Sequence, residues 1–195
     1  MNTKRSMLGL MGGAALIPLV GTAKNISTPQ QVGPKVNEFP NYVLESHDGR
    51  KLRFYDDMLK NKIVVIGMMY TACTGICPGN ISNLLQVQEA LGNRVGKDIF
   101  MYSLTLQPEF DRPDALKAYV KLRDIKPGWS LMTGKPSEIE QLRKRLGFFD
   151  TDPVADANIG NHTGVVRIGN VALDRWLMMP VMSSPKMIAR AIMEV

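Results

Sequence analysis

The sequence predicts a single α/β domain, a central sheet flanked by helices, and three observations carry that prediction. Ile63-Val64-Val65-Ile66-Gly67-Met68-Met69 is an unbroken run of apolar β-formers, the pattern of a strand covered on both faces. Downstream, β-prone runs alternate with stretches of helical apolar spacing. The chain then shows a Gly169-Asn170 turn signal between two short β-prone runs, followed by Pro185 at the mouth of a last amphipathic segment.

The elements follow in order. Tyr42-Val43-Leu44 and Lys51-Leu52-Arg53-Phe54 flank Ser46-His47-Asp48-Gly49, and Asp-Gly between β-prone runs predicts an N-terminal hairpin with His47 as an exposed turn residue. After the Ile63–Met69 strand, Pro78 suits a first helical turn; Ile81, Leu84, Leu85 and Leu91 recur at helical spacing and Gly92 can end the helix. Ile99–Leu106 reads as the next strand, and Asp111-Arg112-Pro113-Asp114 opens a helix carrying Leu116, Tyr119, Val120 and Arg123. Trp129–Met132 is a further strand. Pro136–Leu146 is a helix with Ile139, Leu142 and Leu146 on one face and Gly147 after it, and its Arg143-Lys144-Arg145 run reads as a solvated face. Val165–Ile168 and Val171–Leu173 make the C-terminal hairpin, and a terminal helix follows. Alternating elements ending in hairpin and helix describe an α/β sandwich of thioredoxin-like type.

Composition narrows the function classes. A chain of 195 residues with 45% hydrophobic and 22% charged residues is an ordinary globular composition, long enough to bury roughly 70% of its unfolded surface without a disulfide framework. Two cysteines and two histidines exclude a zinc-finger array. The 24 Lys and Arg are scattered among 18 acids and aromatics are 7%, so the +6 charge supplies neither the basic patch nor the stacking platforms of a nucleic-acid binder.

Residues 1–23 carry Lys4-Arg5, an apolar Gly-rich run from Met7 to Val20 and Gly21-Thr22-Ala23, the three-part pattern of an export signal. Gly9, Gly12, Gly13 and Pro18 interrupt a run shorter than the ~20 residues of a spanning helix, so a cleaved signal is expected, with an uncleaved N-terminal tether as the alternative membrane contact. Cleavage after Ala23 would leave 172 residues and take the charge from +6 to +4. Residues 24–40, with Pro29, Pro34 and Pro40, read as a linker, and residues 41–195 as the folded domain.

Chemistry concentrates in Cys73-Thr74-Gly75-Ile76-Cys77-Pro78, at the predicted passage from strand to helix. A four-residue spacing puts both sulfurs on one side of a first helical turn, where unpaired N–H groups and the positive end of the dipole favour thiolate. A structural disulfide is the bland alternative. Closing about 5 residues is worth roughly 2 kcal/mol, against ~4.7 for 100, so a staple gains little here. Two thiolates make a redox dithiol or an incomplete metal site, and a third ligand would distinguish them. His162, in Ile159-Gly160-Asn161-His162-Thr163-Gly164 just before a strand, is the best candidate, since the glycines let that loop approach other backbone. Met68-Met69 fit core packing, whereas Met178, Met179 and Met182 lie in a stretch read as irregular, a candidate soft surface for Cu(I).

These residues carry a resemblance. The stretch from Tyr42 through the Tyr70-Thr71-Ala72-Cys73-Thr74-Gly75-Ile76-Cys77-Pro78 box, the Pro108-Glu109-Phe110-Asp111-Arg112-Pro113 segment and Asn161-His162-Thr163 together resemble the Sco/SenC family, from about residue 36 onward. The resemblance implies a thioredoxin-like domain binding one copper ion, Cu(I) or Cu(II), through Cys73, Cys77 and His162. It also implies a partner, the copper-receiving subunit of a haem-copper oxidase or another exported copper protein, on the outer side of an inner membrane. Two thiolates and an imidazole suit copper, and zinc can use the same set with a fourth ligand or a water. Gln107 and Asn161 stand where the family commonly has aspartates, and Thr74-Gly75 replaces a proline-containing interior; these departures lower the negative charge expected near the site.

Two function classes therefore stand beside each other: an exported copper carrier or thiol reductant for oxidase assembly, and a metal-independent thiol-disulfide oxidoreductase acting on an exchange partner through Cys73 and Cys77. Thioredoxin-like enzymes usually separate their cysteines by two residues, and this box has three. A peroxidase is a third possibility, wanting one activated cysteine in its own loop.

Overall fold

The computed structural model describes Phe39–Val195. Seven strands form one sheet: β1 (Val43–Ser46), β2 (Lys51–Arg53), β3 (Ile63–Met69), β4 (Ile99–Thr105), β5 (Trp129–Thr133), β6 (Val165–Asn170) and β7 (Arg175–Pro180). Their order across the sheet is β2-β1-β5-β4-β3-β6-β7. β3, β4 and β5 are parallel, and β6, β7, β1 and β2 extend the sheet antiparallel on either side.

β3 sits inside the sheet, and its side chains sort by parity. Val65 and Met69 face one core with Ile81, Leu84, Val87 and Leu91 of helix α1 (Cys77–Leu91), Leu116 and Tyr119 of α2 (Pro113–Arg123) and Ile188 and Ile192 of the terminal helix (Pro185–Glu194). Val64, Ile66 and Met68 face a second core with Ile139, Leu142 and Leu146 from α3 (Pro136–Arg145) and its end, and with Phe54, Met58 and Leu59 from a wide π-helical turn. Both faces are covered, which is why the strand is apolar throughout. Pro78, Pro113, Pro136 and Pro185 each occupy a first helical turn, where the missing N–H costs nothing. Gly92, at φ +58, ends α1. Besides these, a four-residue helix, α4 (Pro153–Asp156), and a 3-10 turn (Ile159–His162) lie between α3 and β6; the terminal helix is α5.

The thioredoxin-like architecture and the N-terminal hairpin are as expected. His47 is half-buried, its Nδ1 accepting the Leu131 N–H at 3.2 Å. Its expected exposure is thereby corrected, since the turn packs its ring against the β5 backbone at Leu131, and three further expectations need correction. The C-terminal hairpin turns later: Gly169 and Asn170 belong to β6, Val171–Leu173 is a 3-10 turn, and the returning strand is Arg175–Pro180. Gly169 is in the strand because Trp176 of β7 lies flat against it, where a Cβ would meet the indole at 2.3 Å. Met178 and Met179 are strand residues. Being consecutive they face opposite sides of β7, so with Met182 they form no single soft cluster. Finally, Arg143 is no part of a solvated face: it is 5% exposed, between Glu140, Asp156, Phe148 and His162.

Residues 1–38, which include the expected export signal and nearly all of the linker, lie outside the described residues. Among the described residues, no helix is long and apolar enough to cross a membrane.

Candidate functional site

The end of the sheet where β3 and β4 finish carries the cysteine box. Cys73 precedes the helix rather than lying in it: its N–H donates to Tyr70 O at 3.2 Å in a turn, and α1 begins at Cys77. The pair is nonetheless adjacent, because the turn folds Cys73 back over the open N-terminus of α1. Both cysteines are free, and both are buried although Thr74, Gly75 and Ile76 between them are exposed.

The two thiols are inequivalent. Burial opposes ionisation of Cys73, but hydrogen bonds from the Cys77 thiol, the Cys77 N–H, the Tyr70 hydroxyl and the Gly75 N–H outweigh it and bring the group below the ordinary thiol range. Deeper burial pushes Cys77 up to about 12, helped by its hydrogen bond and proximity to Cys73, against hydrogen bonds from the Tyr70 N–H and Thr163. Tyr70 is also raised to about 12, first by its hydrogen bond to Cys73 and then by burial, so its hydroxyl stays protonated and donating. The arrangement is one thiol, Cys73, whose ionisation is favoured by its donors, beside a second, Cys77, whose ionisation is opposed.

Two anchors fix the box. Asp111, wholly buried, accepts the Thr71 N–H at 3.0 Å, the Thr71 hydroxyl and the Thr105 hydroxyl at 2.5 Å, tying the turn before Cys73 to the end of β4. On the other side Asn80 donates to Thr163 O at 2.6 Å and the Thr163 side chain reaches Cys77, so the loop before β6 does approach the cysteines.

His162 is next to Thr163 in sequence and its side chain goes elsewhere. Its Nε2 lies 3.2 Å from Arg143 Nη1, 2.9 Å from the Asp156 carbonyl and 3.6 Å from Asp156 Oδ1, and the ring is 4% exposed. Thus the structure brings Cys73 and Cys77 together and leaves His162 on a charged cluster. Among the described residues, no three His, Cys, Asp or Glu side chains converge as a metal set. Arg143 holds Glu140 and Asp156 by paired bonds of 2.7–2.9 Å. Its bonds, and then the Asp150 N–H, keep Asp156 well below the usual carboxylate range.

Asn161, one of the departures from the family pattern, donates to Ala155 O at 2.8 Å and braces the histidine's turn from outside. Sequence reasoning missed Tyr70, Asp111, Thr163 and Arg143. For Arg143 a signal existed: it stands four residues after Ile139, on the buried side of α3. For Asp111 none did, because an Asp beside a helix start looks like any capping residue.

With the geometry in place, comparison with known proteins gives a consistent result. The family model described as SCO1/SenC matches residues 30–194. An SCO2-like protein of Rickettsia prowazekii is 27% identical over 149 residues, 72% of this chain and 68% of that protein. Among solved structures, Bradyrhizobium japonicum ScoI with copper bound superposes with a TM-score of 0.62 at 19% identity, over 78% of this chain and 96% of that one. BsSco, described by its disulfide switch and as a member of the Sco family of cytochrome c oxidase assembly proteins, superposes with a TM-score of 0.64 at 19% identity, over 85% and 95% of the two chains. Those structural likenesses are of fold. The match across nearly all of the described domain makes this chain a member of the SCO1/SenC family.

Proposed function

We propose that the protein is an exported copper carrier that takes one copper ion on Cys73 and Cys77, with His162 as third ligand, for a copper-receiving subunit of a haem-copper oxidase or another exported copper protein. The observation that carries this reading is the cysteine pair at the sheet end: two soft donors within hydrogen-bonding reach, one of them, Cys73, held below the ordinary thiol range by its donors, beside the loop that bears an imidazole. The donor set fits Cu(I), which prefers thiolate and accepts imidazole. The ScoI neighbour holds copper on the same fold, and BsSco belongs to a family described by oxidase assembly. The export pattern of residues 1–23 supports the compartment.

In this reading Cys73, held below the ordinary thiol range by its donors, yields a thiolate more readily than Cys77. Cys77 gives up its proton as it ligates, so uptake releases protons and tightens as pH rises. Exposed Thr74, Gly75 and Ile76 leave the box open to a partner's ligands. The test is copper binding by single serine variants: Cys73→Ser and Cys77→Ser should each lose high-affinity Cu(I), and parent-like binding by both would refute the reading.

The asymmetry of the thiols supports a second reading, thiol-disulfide exchange. Cys73 thiolate attacks a partner disulfide, forming a mixed disulfide and expelling one partner thiolate. Cys77, after losing its proton, attacks Cys73 sulfur, releasing the second partner thiol and leaving Cys73–Cys77 oxidised. Undiminished reduction of a model disulfide by His162→Ala, with no copper in protein taken from its native compartment, would favour this reading.

A further inference from the structure

We infer that Arg143 and Asp156 form a latch that holds His162 off the cysteines in the metal-free protein and so sets its copper affinity; the inference rests on the copper reading above. The first observation is where the imidazole sits. It is buried against a guanidinium at 3.2 Å and a carbonyl at 2.9 Å, which make opposite demands on Nε2: Arg143 needs its lone pair and the Asp156 carbonyl needs a proton there. The histidine satisfies one at a time, so the seat is a partial fit.

The second observation is that Arg143 can release the ring without being orphaned. Its other contacts, to Glu140 Oε2 and Oε1, Asp156 Oδ1 and Oδ2 and Phe148 O, measure 2.7–2.9 Å, and the 3.2 Å contact to His162 is the longest. Departure of the imidazole leaves the buried charge fully paired, which avoids the usual penalty for opening a buried ion cluster.

The third observation is a pivot. His162 ends a single 3-10 turn, Ile159–His162, started by Asn158 accepting the Gly160 N–H at 3.0 Å and held by Asn161 on Ala155 O and Thr163 on Gly160 O, a short piece with the poorer hydrogen-bond geometry of its kind. Thr163, one residue on and 2% exposed, is fixed to Asn80 and Cys77. Consecutive Cα atoms are about 3.8 Å apart, so His162 is tethered one residue from the side chain that reaches Cys77, and the latch calls for rotation of the backbone at residues 162–163 rather than a domain motion.

If only a fraction of molecules have His162 free, apparent affinity falls by that fraction. Arg143 Nη1 has two hydrogens, taken at 2.7 Å by Phe148 O and Asp156 Oδ1, so its 3.2 Å contact to His162 is a shared one; with the His162 bond to the Asp156 carbonyl it corresponds to a closed-to-open ratio of about ten. Arg143 and Asp156 are positioning residues in this account, not ligands.

The experiment uses the reduced full chain. Without metal, Arg143→Gln should raise carbethoxylation of His162 by diethyl pyrocarbonate, read on the His162 peptide by mass spectrometry, about tenfold over the parent. In anaerobic Cu(I) competition against a chromophoric chelator it should bind about tenfold tighter, and the gain should vanish in the His162→Ala background. Arg143→Lys, which keeps the buried charge but not the forked donors, should show the same direction and serves if the glutamine variant does not fold. Parent-like Cu(I) affinity of His162→Ala would overturn the ligand assignment itself. With that assignment intact, unchanged His162 reactivity and unchanged Cu(I) affinity in the folded Arg143 variants would overturn the latch.

Discussion

Asp111 and Thr71 are 40 residues apart in the chain and joined by two hydrogen bonds, with the Thr71 N–H at 3.0 Å and the Thr71 hydroxyl both donating to the buried carboxylate. Because Thr105 donates to the same group at 2.5 Å, the carboxylate is the knot between the cysteine turn and the end of β4. Asp111→Ala strands three donors near a buried site. It should lower unfolding free energy by about 3 kcal/mol, measured by urea denaturation at neutral pH. A loss below about 1 kcal/mol would show that water replaces the carboxylate.

The thiols should separate chemically. In reduced, metal-free protein Cys73 ionises below the ordinary thiol range and Cys77 near 12, so iodoacetamide at neutral pH should label Cys73 at least about tenfold faster. The signs for stability differ. The Cys73 thiolate favours the fold, and that contribution is lost as pH falls through its folded value. The neutral Cys77 favours the fold at lower pH, and its contribution is lost as pH rises toward 12. Equal labelling of both cysteines would contradict the asymmetry.

The Arg143–Asp156 pair predicts an acid-sensitive fold. Asp156 is depressed by its bonds to Arg143, so its stabilisation is complete above the unfolded carboxylate value of about 3.9 and disappears as pH falls through the folded value. Melting temperatures followed from neutral pH into acid should drop more steeply in the parent than in Asp156→Asn. Parallel curves would mean that Asp156 does not carry the dependence.

At Gly169 the expected effect is steric. A methyl there would lie 2.3 Å from the Trp176 ring, and Trp176 packs on Phe39 with ring centroids 5.3 Å apart, so it has little room to retreat. Gly169→Ala should cost about 1–3 kcal/mol by thermal denaturation, with β7 the segment whose amide exchange accelerates. A neutral substitution would show that the edge strand shifts freely.

What the sequence revealed and what it hid follow one physical rule. Elements set by local pattern were legible: the apolar β3, the proline-opened helices and the cysteine box at the strand-to-helix passage depend on neighbours a few residues away. Gly169-Asn170 misled because a glycine needed for close packing looks like a glycine needed for a turn, and only the arrival of Trp176 distinguishes them. Arg143 misled because its burial depends on Asp156, beyond the helix end. His162 was identified as a loop residue able to approach the cysteines; its backbone does so through Thr163, while its side chain answers to charges that no local spacing encodes.

The most direct test of the account is X-ray absorption at copper on the protein loaded anaerobically with one equivalent of Cu(I), parent against His162→Ala. Two sulfurs and one nitrogen in the parent, with the nitrogen lost in the variant, is the predicted result. An identical two-sulfur site in both proteins would contradict it and leave a dithiol without an imidazole ligand.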